Sequence, residues 1–210
     1  QNQQEISYVQ MMSKAYEKAL TAKKSVVSVT KGAEQENWNA EATGIDESVS
    51  GVIVADNGPE ILILSYASIC EDAKEWCVTF SDKSEYKASL KKKDKNSGFA
   101  IFAVDKKSLS DATWSASSVA SLGNSNLTEQ GDVIFALGNI FGYAGGSGYG
   151  IVSSSNYKEI GRDGEYSVIA TDMSSASEGT GILFNLDGEV IGMISSDIWK
   201  DRGVRTANAY

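Results

Sequence analysis

The feature that most constrains the fold of this chain is a succession of short apolar runs with the alternation typical of β-strands. About eleven such runs follow one another from Ser25 to "EVIGMIS". Turn signals separate them, including "DNGPE", "SDKSE", "KDKNSG" and "LDGE". The last signal, Asp187-Gly188 between two apolar runs, predicts a tight hairpin. Many short strands at this spacing predict an all-β sandwich or barrel.

Two stretches lack the strand pattern and divide the chain. Residues 1–23 predict an N-terminal helix that either packs against a barrel or forms a stalk, because apolar residues recur there at steps of three and four: Ile6, Val9, Met12, Tyr16 and Leu20. Residues 105–130 predict a connector between two β-barrels. The expected organisation is therefore a helix over 1–23, a first barrel over 24–115 and a second over 116–210, which together form one domain.

Charge and hydropathy exclude two classes of partner. The net charge of the 210-residue chain is −9, and nucleic-acid binding calls for a basic stripe that this chain lacks. The longest apolar runs fall short of the roughly 18 residues that a membrane-spanning helix needs. We therefore expect no nucleic-acid partner and no membrane insertion within this chain.

The chain contains no histidine, the usual general base near neutral pH. Its absence removes Ser-His and Cys-His catalysis and the commonest zinc-hydrolase sites. Two cysteines supply only two of the four ligands that a tetrahedral zinc site needs. We therefore expect no metal and no cofactor. Cys70 and Cys77 form either a disulfide in an oxidising compartment or two small buried hydrophobes in neighbouring strands.

Four segments carry a family resemblance, and they occur in the family's order. They are "SGVIVADNGPEILILSYASI", "VTFSDKSEYKASLKKKDKNSGFAIFAV", "GDVIFALGNIFGYAGGSGYGIVSSS" and "IATDMSSASEGTGILFNLDGEVIGMIS", and they span about residues 48–196. Together they resemble the protease domain of the HtrA-type (Do-like) family of trypsin-fold serine proteases. The resemblance implies two perpendicular six-stranded β-barrels with a catalytic cleft between them.

The resemblance also implies where the family's catalytic triad falls. Ala67 stands in the place of the histidine and Gly98 in the place of the aspartate. Thr180 or Gly179 stands in the place of the serine, since counts from the two ends of the segment differ by one residue. With no histidine in the chain, these substitutions predict a catalytically inactive homologue, which is not an enzyme.

The scaffold retains features that suit peptide binding. In proteases of this fold the strand after the nucleophile loop binds substrate by β-strand addition, which implies a peptide-binding edge at Ile191, Gly192, Met193, Ile194 and Ser195. Tyr66, Phe141, Tyr143 and Tyr149 form either apolar subsites or parts of the barrel core and rim. The expected ligand is therefore an extended or unfolded polypeptide, or a protein partner.

Two alternatives stay open at this point. One is a residual endopeptidase in which Thr180 is the nucleophile and a group other than histidine, such as Lys158 or Lys200, is the base. The other is a structural or regulatory subunit of an active relative. The resemblance further implies a bacterial protein outside the cytoplasm, secreted or at the cell surface, with an anchor before this chain, a PDZ domain after it and assembly into trimers.

Overall fold

The computed structural model describes residues 7–32, 48–94, 97–161, 164–176, 178–195 and 206–209. Within these residues the chain forms two closed, six-stranded antiparallel barrels and an N-terminal helix. The prediction of an all-β, trypsin-like double barrel is therefore confirmed.

The first barrel contains the strands β1 to β6. Around the barrel their order is β1-β2-β3-β6-β5-β4, and β4 pairs with β1 to close it. Alternate side chains of these strands point inward, so that Val52, Ile63 and Phe102 are fully buried. The strands are β1 (Val26–Lys31), β2 (Ser48–Asp56), β3 (Glu60–Tyr66), β4 (Trp76–Thr79), β5 (Glu85–Asp94) and β6 (Phe99–Asp105).

The second barrel contains the strands β7 to β12. Their order around the barrel is β7-β10-β11-β12-β9-β8, and β8 pairs with β7 to close it. The predicted hairpin joins β10 to β11, with Gly188 at a φ of 81°, a backbone conformation that favours glycine. The strands are β7 (Val133–Gly138), β8 (Gly146–Gly161), β9 (Gly164–Ser174), β10 (Ile182–Asn185), β11 (Val190–Ser195) and β12 (Thr206–Ala209).

The helix α1 (Tyr8–Ala22) packs against the second barrel at β7. Its N-terminus is closed by a capping box between Ser7 and Gln10. The buried face consists of small side chains, Ala15, Ala19 and Ala22, which allow the helix backbone to approach the barrel closely. The apolar stripe seen in the sequence is not the packing face: Val9, Tyr16 and Leu20 are exposed, and Val9 keeps 73% of its surface accessible.

The segment between β6 and β7 connects the two barrels. It contains a 3-10 turn at Lys106–Ser108, the short helix α2 (Asp111–Ser115) and a second 3-10 turn at Ser125–Leu127. The expected boundary between residues 115 and 116 falls inside this connector. Neither helix in the described ranges has the length and apolar character needed to cross a membrane.

The two cysteines are free thiols in the structure. Cys70 ends a 3-10 turn (Ala67–Cys70) that follows β3, whereas Cys77 lies on β4, and both are half-buried. The disulfide considered from the sequence is therefore not formed here. The other interpretation, two small buried hydrophobes in neighbouring strands, does not describe the structure either, because only Cys77 lies on a strand and neither cysteine is fully buried.

Burial raises the pKa of the Cys70 thiol, which lowers its thiolate fraction at neutral pH. In a Cys77→Ser variant we expect Cys70 to react with a disulfide reagent more slowly than a small free thiol does. Unfolding the variant in guanidinium should restore the normal rate. A fast reaction in the folded state, or no free thiol in the unreduced wild-type chain, would contradict this expectation.

Candidate functional site

The positions expected from the family triad meet at the junction of the two barrels. The backbone N–H of Ala67 donates to the carbonyl oxygen of Gly98 at 2.7 Å, which joins the turn after β3 to the turn before β6. From the neighbouring residue, the Tyr66 hydroxyl reaches Gly181 at 3.0 Å, next to Thr180. The structure therefore places Ala67 beside Gly98, and Tyr66, the residue before Ala67, beside Gly181, the residue after Thr180.

At the first of these positions the exposed side chain belongs to Ser68, not to Ala67. The methyl group of Ala67 is buried in the core, whereas Ser68 is exposed on the same 3-10 turn. The sequence reasoning therefore missed Ser68. The signal that could have found it is the buried Tyr66-Ala67 pair, after which a 3-10 turn directs the next side chain outward.

Gly98 contributes backbone and no side chain to the junction. Its φ of 73° lies in the left-handed region that favours glycine. Its N–H donates to the carbonyl oxygen of Asp94 at 3.1 Å, and its own carbonyl oxygen accepts from Ala67. The residue therefore shapes the turn that supports the Ser68 segment.

Gly179 has no room for a side chain. A Cβ atom at this position would collide with the carbonyl oxygen of Ile140. The N–H of Gly179 donates to the Ala176 carbonyl oxygen at 3.0 Å, and the N–H of Thr180 donates to the Asn139 carbonyl oxygen at 3.1 Å. In this conformation an oxyanion would have to compete with those two carbonyls for the N–H donors.

The Thr180 side chain supplies a hydroxyl at this turn. Its Oγ1 accepts from the Ser50 N–H at 2.8 Å and donates to the Ser50 Oγ at 3.0 Å. Within the described residues these are its hydrogen bonds, so the group that receives its proton is another hydroxyl. Of the two lysines considered as bases, Lys200 lies outside the described residues, and Lys158 lies on β8 opposite Ser167 of β9.

Tyr66 fills the junction and does not line an open subsite. It is 8% exposed. Its hydroxyl lies 2.6 Å from the Ile194 carbonyl oxygen and 3.0 Å from that of Gly181, and it accepts from the Gly181 N–H at 3.1 Å. This side chain therefore links β3 of the first barrel to Gly181, the residue before β10, and to β11 of the second barrel.

The edge expected to bind peptide at Ile191–Ser195 is largely paired within the second barrel. On one side of β11, Gly192 and Met193 lie opposite β10. On the other side, Ile194 and Ser195 pair with β12. The side chains of Ile191, Met193 and Ile194 are also buried. The prediction left the backbone groups of β11 free for a peptide. In the structure β12 pairs with Ile194 and Ser195 and closes the barrel, and a closed barrel has no open edge.

Two of the four aromatic residues singled out from the sequence are exposed beside the junction. Phe141 is 40% exposed and Tyr143 is 61% exposed. Their rings stack with centroids 6.1 Å apart. Both lie in the loop between β7 and β8, directly after Ile140, whose carbonyl oxygen accepts from the Ala176 N–H at 2.9 Å. The fourth aromatic, Tyr149, is half-buried, and burial raises its pKa.

Comparison with known proteins agrees with this geometry. Residues 49–193 match the family model of the trypsin-like peptidase domain. The chain is 34% identical over 155 residues to a probable periplasmic serine endoprotease DegP-like of Pseudomonas savastanoi pv. phaseolicola, and equally to one of Halomonas elongata. The chain belongs to the HtrA-type family of trypsin-like proteases. Each alignment covers 73% of this chain and 30% of the relative, so the chain spans less than a third of those proteins.

A solved structure shows the same fold. The HtrA-type protease AlgW with tripeptide superposes with a TM-score of 0.67, at 23% sequence identity, and the match covers 92% of this chain and 58% of that chain. At this identity the likeness extends to the double barrel and not to the chemistry of the site.

The prediction that this HtrA-type chain is not an enzyme is contradicted by the comparisons. Its relatives are named serine endoproteases, and nothing in the described part of the chain shows a loss of activity. The missing histidine bears on which group accepts a proton. It does not separate the chain from a family of proteases.

The Tyr66 hydroxyl gives a test of the junction. In Tyr66→Phe the buried Gly181 N–H and Ile194 carbonyl oxygen lose their tyrosine partner, so we expect the free energy of unfolding to fall by about 1–3 kcal/mol. Urea denaturation followed by tryptophan fluorescence measures this change. Tyr143→Phe, which removes an exposed hydroxyl, is the matched control and should unfold like the wild type. Equal stability of Tyr66→Phe and the wild type would show that the hydroxyl does not hold the barrels together.

Proposed function

We propose that this chain is the double-barrel module of an HtrA-type protein outside the cytoplasm, and that it binds extended polypeptide beside the barrel junction. The observation that carries the proposal is the exposed, stacked pair formed by Phe141 and Tyr143. This pair lies on the loop that holds the Ala176–Thr180 turn, so a bound polypeptide would pass next to the candidate site.

The loop is anchored at its base. The Asn139 side-chain amide donates to the Ser48 Oγ at 2.7 Å, and the Gly142 N–H donates to the Asn139 carbonyl oxygen at 3.2 Å. The aromatic pair is therefore presented on a fixed base. Exposed aromatic faces contact the apolar side chains that an extended or unfolded polypeptide displays, at a low cost in conformational entropy.

The relatives support both the location and the ligand class. Their names place them in the periplasm and describe endoproteases, which supports a location outside the cytoplasm and a polypeptide ligand, either substrate or partner. The implied PDZ domain, membrane anchor and trimer stay predictions.

The aromatic pair can be tested by binding. In a Phe141→Ala, Tyr143→Ala double variant we expect the affinity for unfolded casein to fall by about tenfold, because two aromatic contacts of about 0.5–1.5 kcal/mol each are lost. Fluorescence anisotropy of labelled casein measures this affinity. The control is Tyr16→Ala, which removes an aromatic side chain of similar exposure, 57%, from α1. The proposal fails if the wild type binds no casein, or if the double variant binds as well as the control.

A second candidate function, endopeptidase activity through Thr180, is favoured by one observation. Thr180 lies at the junction, half-buried, in a chain whose relatives are named serine endoproteases. In this mechanism Oγ1 attacks the peptide carbonyl carbon while its proton passes to a base, and the amine leaves with a proton. The Ser50 hydroxyl, which receives the Thr180 hydrogen bond, is a relay at best, so a base beyond it is required.

Two substitutions at position 180 test this candidate. Thr180→Val keeps the shape of the side chain and removes the hydroxyl, whereas Thr180→Ser keeps the hydroxyl. If Thr180 is the nucleophile, casein cleavage by the purified protein should disappear in Thr180→Val and persist in Thr180→Ser. Because Thr180→Val also leaves the buried Ser50 N–H without its acceptor, casein binding by each variant checks that the junction is intact. Cleavage that persists in Thr180→Val, or no cleavage by the wild type, would rule Thr180 out.

A further inference from the structure

A cleft of about 420 Å³ lies next to the junction, and Leu137 and Gly138, the last residues of β7, form part of its lining. The start of β1, the turn after β4 and the loop before β8 form its walls. Its accessible apolar lining comes from Val26 and Ala144, while Val27, Phe80 and Leu137 also border it but are buried. Lys23, Lys24 and Lys83 are exposed around it.

The three lysines are not neutralised within the described part of the chain. Other lysines there form ion pairs, such as Lys87 with Glu75 and Lys91 with Glu60. No ion pair involves Lys23, Lys24 or Lys83 in that part, and the described residues that line the cleft include no Asp or Glu. A concentration of unpaired positive charge in a concave site attracts anions, even on a chain with a net charge of −9.

The three lysines come from separate elements, so no single feature of the local structure explains why all three lie at the cleft. Lys23 and Lys24 follow the C-terminus of α1, where positive charge stabilises the helix dipole. Lys83 lies in the turn between β4 and β5 with a φ of 73°, far from any helix end in the sequence. The fold brings the three charges to one cleft.

We propose that this cleft binds an acidic segment of a polypeptide. An apolar side chain of the ligand would lie against Val26 and Ala144, and flanking carboxylates would contact the lysines. The volume is that of a site for a ligand of a few residues. The inference rests on the proposed function for the polypeptide nature of the ligand, because the loop that carries Phe141 and Tyr143 also forms a wall of the cleft.

The experiment compares two short synthetic peptides with a neutral fluorescent label. One contains leucine flanked by glutamates, and the other has glutamine at every glutamate position. We expect the wild type to bind the acidic peptide about tenfold more tightly, as three exposed ion pairs would provide. The difference should shrink between about 50 mM and about 500 mM salt, because salt screens exposed charges.

Two triple variants locate the effect. The first variant replaces the three cleft lysines together, as Lys23→Gln, Lys24→Gln and Lys83→Gln. It should bind the two peptides equally. The control variant carries Lys92→Gln, Lys93→Gln and Lys107→Gln, which change the net charge by the same amount at exposed positions outside the cleft. It should keep the preference for the acidic peptide. Circular dichroism establishes that both variants are folded. If the control variant loses the preference as well, the effect is one of overall charge, and the inference is wrong.

The remaining outcomes separate this inference from the proposed function. If casein and both peptides bind with no preference for glutamate, the acidic-segment inference fails while polypeptide binding stands. If neither casein nor either peptide binds, the proposed function itself fails. If inorganic phosphate displaces the acidic peptide at equal concentration, the cleft is a site for small anions, and the polypeptide assignment is overturned.

Discussion

The buried hydroxyl of Ser50 is the interaction on which the barrel junction depends. It accepts from the Asn139 N–H at 2.8 Å and from the Thr180 hydroxyl at 3.0 Å, and it donates to the Thr180 carbonyl oxygen at 3.0 Å. One side chain of β2 therefore satisfies groups from both the end of β7 and the turn before β10. The contact is close enough that a Cβ atom at Gly138 would collide with Ser50. A small residue on each side is thus a condition for this hydroxyl to reach its partners, and Tyr66 adds a second link through Gly181, the residue after Thr180.

Asn139 and Ile140, which follow β7, connect the Ser50 contacts to the turn before β10, to the aromatic pair and to the lysine cleft. The carbonyl oxygens of Asn139 and Ile140 hold the Ala176–Thr180 turn on one side. The same two residues begin the loop that carries the aromatic pair, and Asn139 lines the lysine cleft. Because buried polar groups are costly to leave unpaired, these contacts favour a single arrangement of the segment. A displacement of Asn139 would therefore change the turn, the aromatic pair and the cleft together.

The sequence predicted the parts of this structure that depend on local periodicity. Alternating apolar runs predicted an all-β sandwich or barrel, and the Asp187-Gly188 turn predicted the β10–β11 hairpin; the two six-stranded barrels were implied by the resemblance to the HtrA-type family. The packing face of α1 was missed because alanine carries a weak hydrophobic signal, whereas Val9 and Tyr16 carry a strong one and lie exposed. Ser68 was missed because a 3-10 turn changes which side chain faces outward. The pairing of β11 was missed because β12 is only four residues long and its pairing is a long-range event. The absence of histidine predicted that the chain is not an enzyme, and this prediction is contradicted by relatives that are named serine endoproteases.

The charge of the whole chain limits how the lysine cleft can act. A net charge of −9 repels an acidic polypeptide at long range, so the cleft gains little from electrostatic steering. At physiological salt, charges separated by more than about 8 Å are largely screened, which removes most of that repulsion but also confines the attraction of the three lysines to close contact. Selectivity for acidic ligands must then arise at close range, once a side chain of the ligand contacts the accessible apolar surface of Val26 and Ala144. On this view that apolar contact brings carboxylates within reach, and the lysines discriminate among the polypeptides that bind.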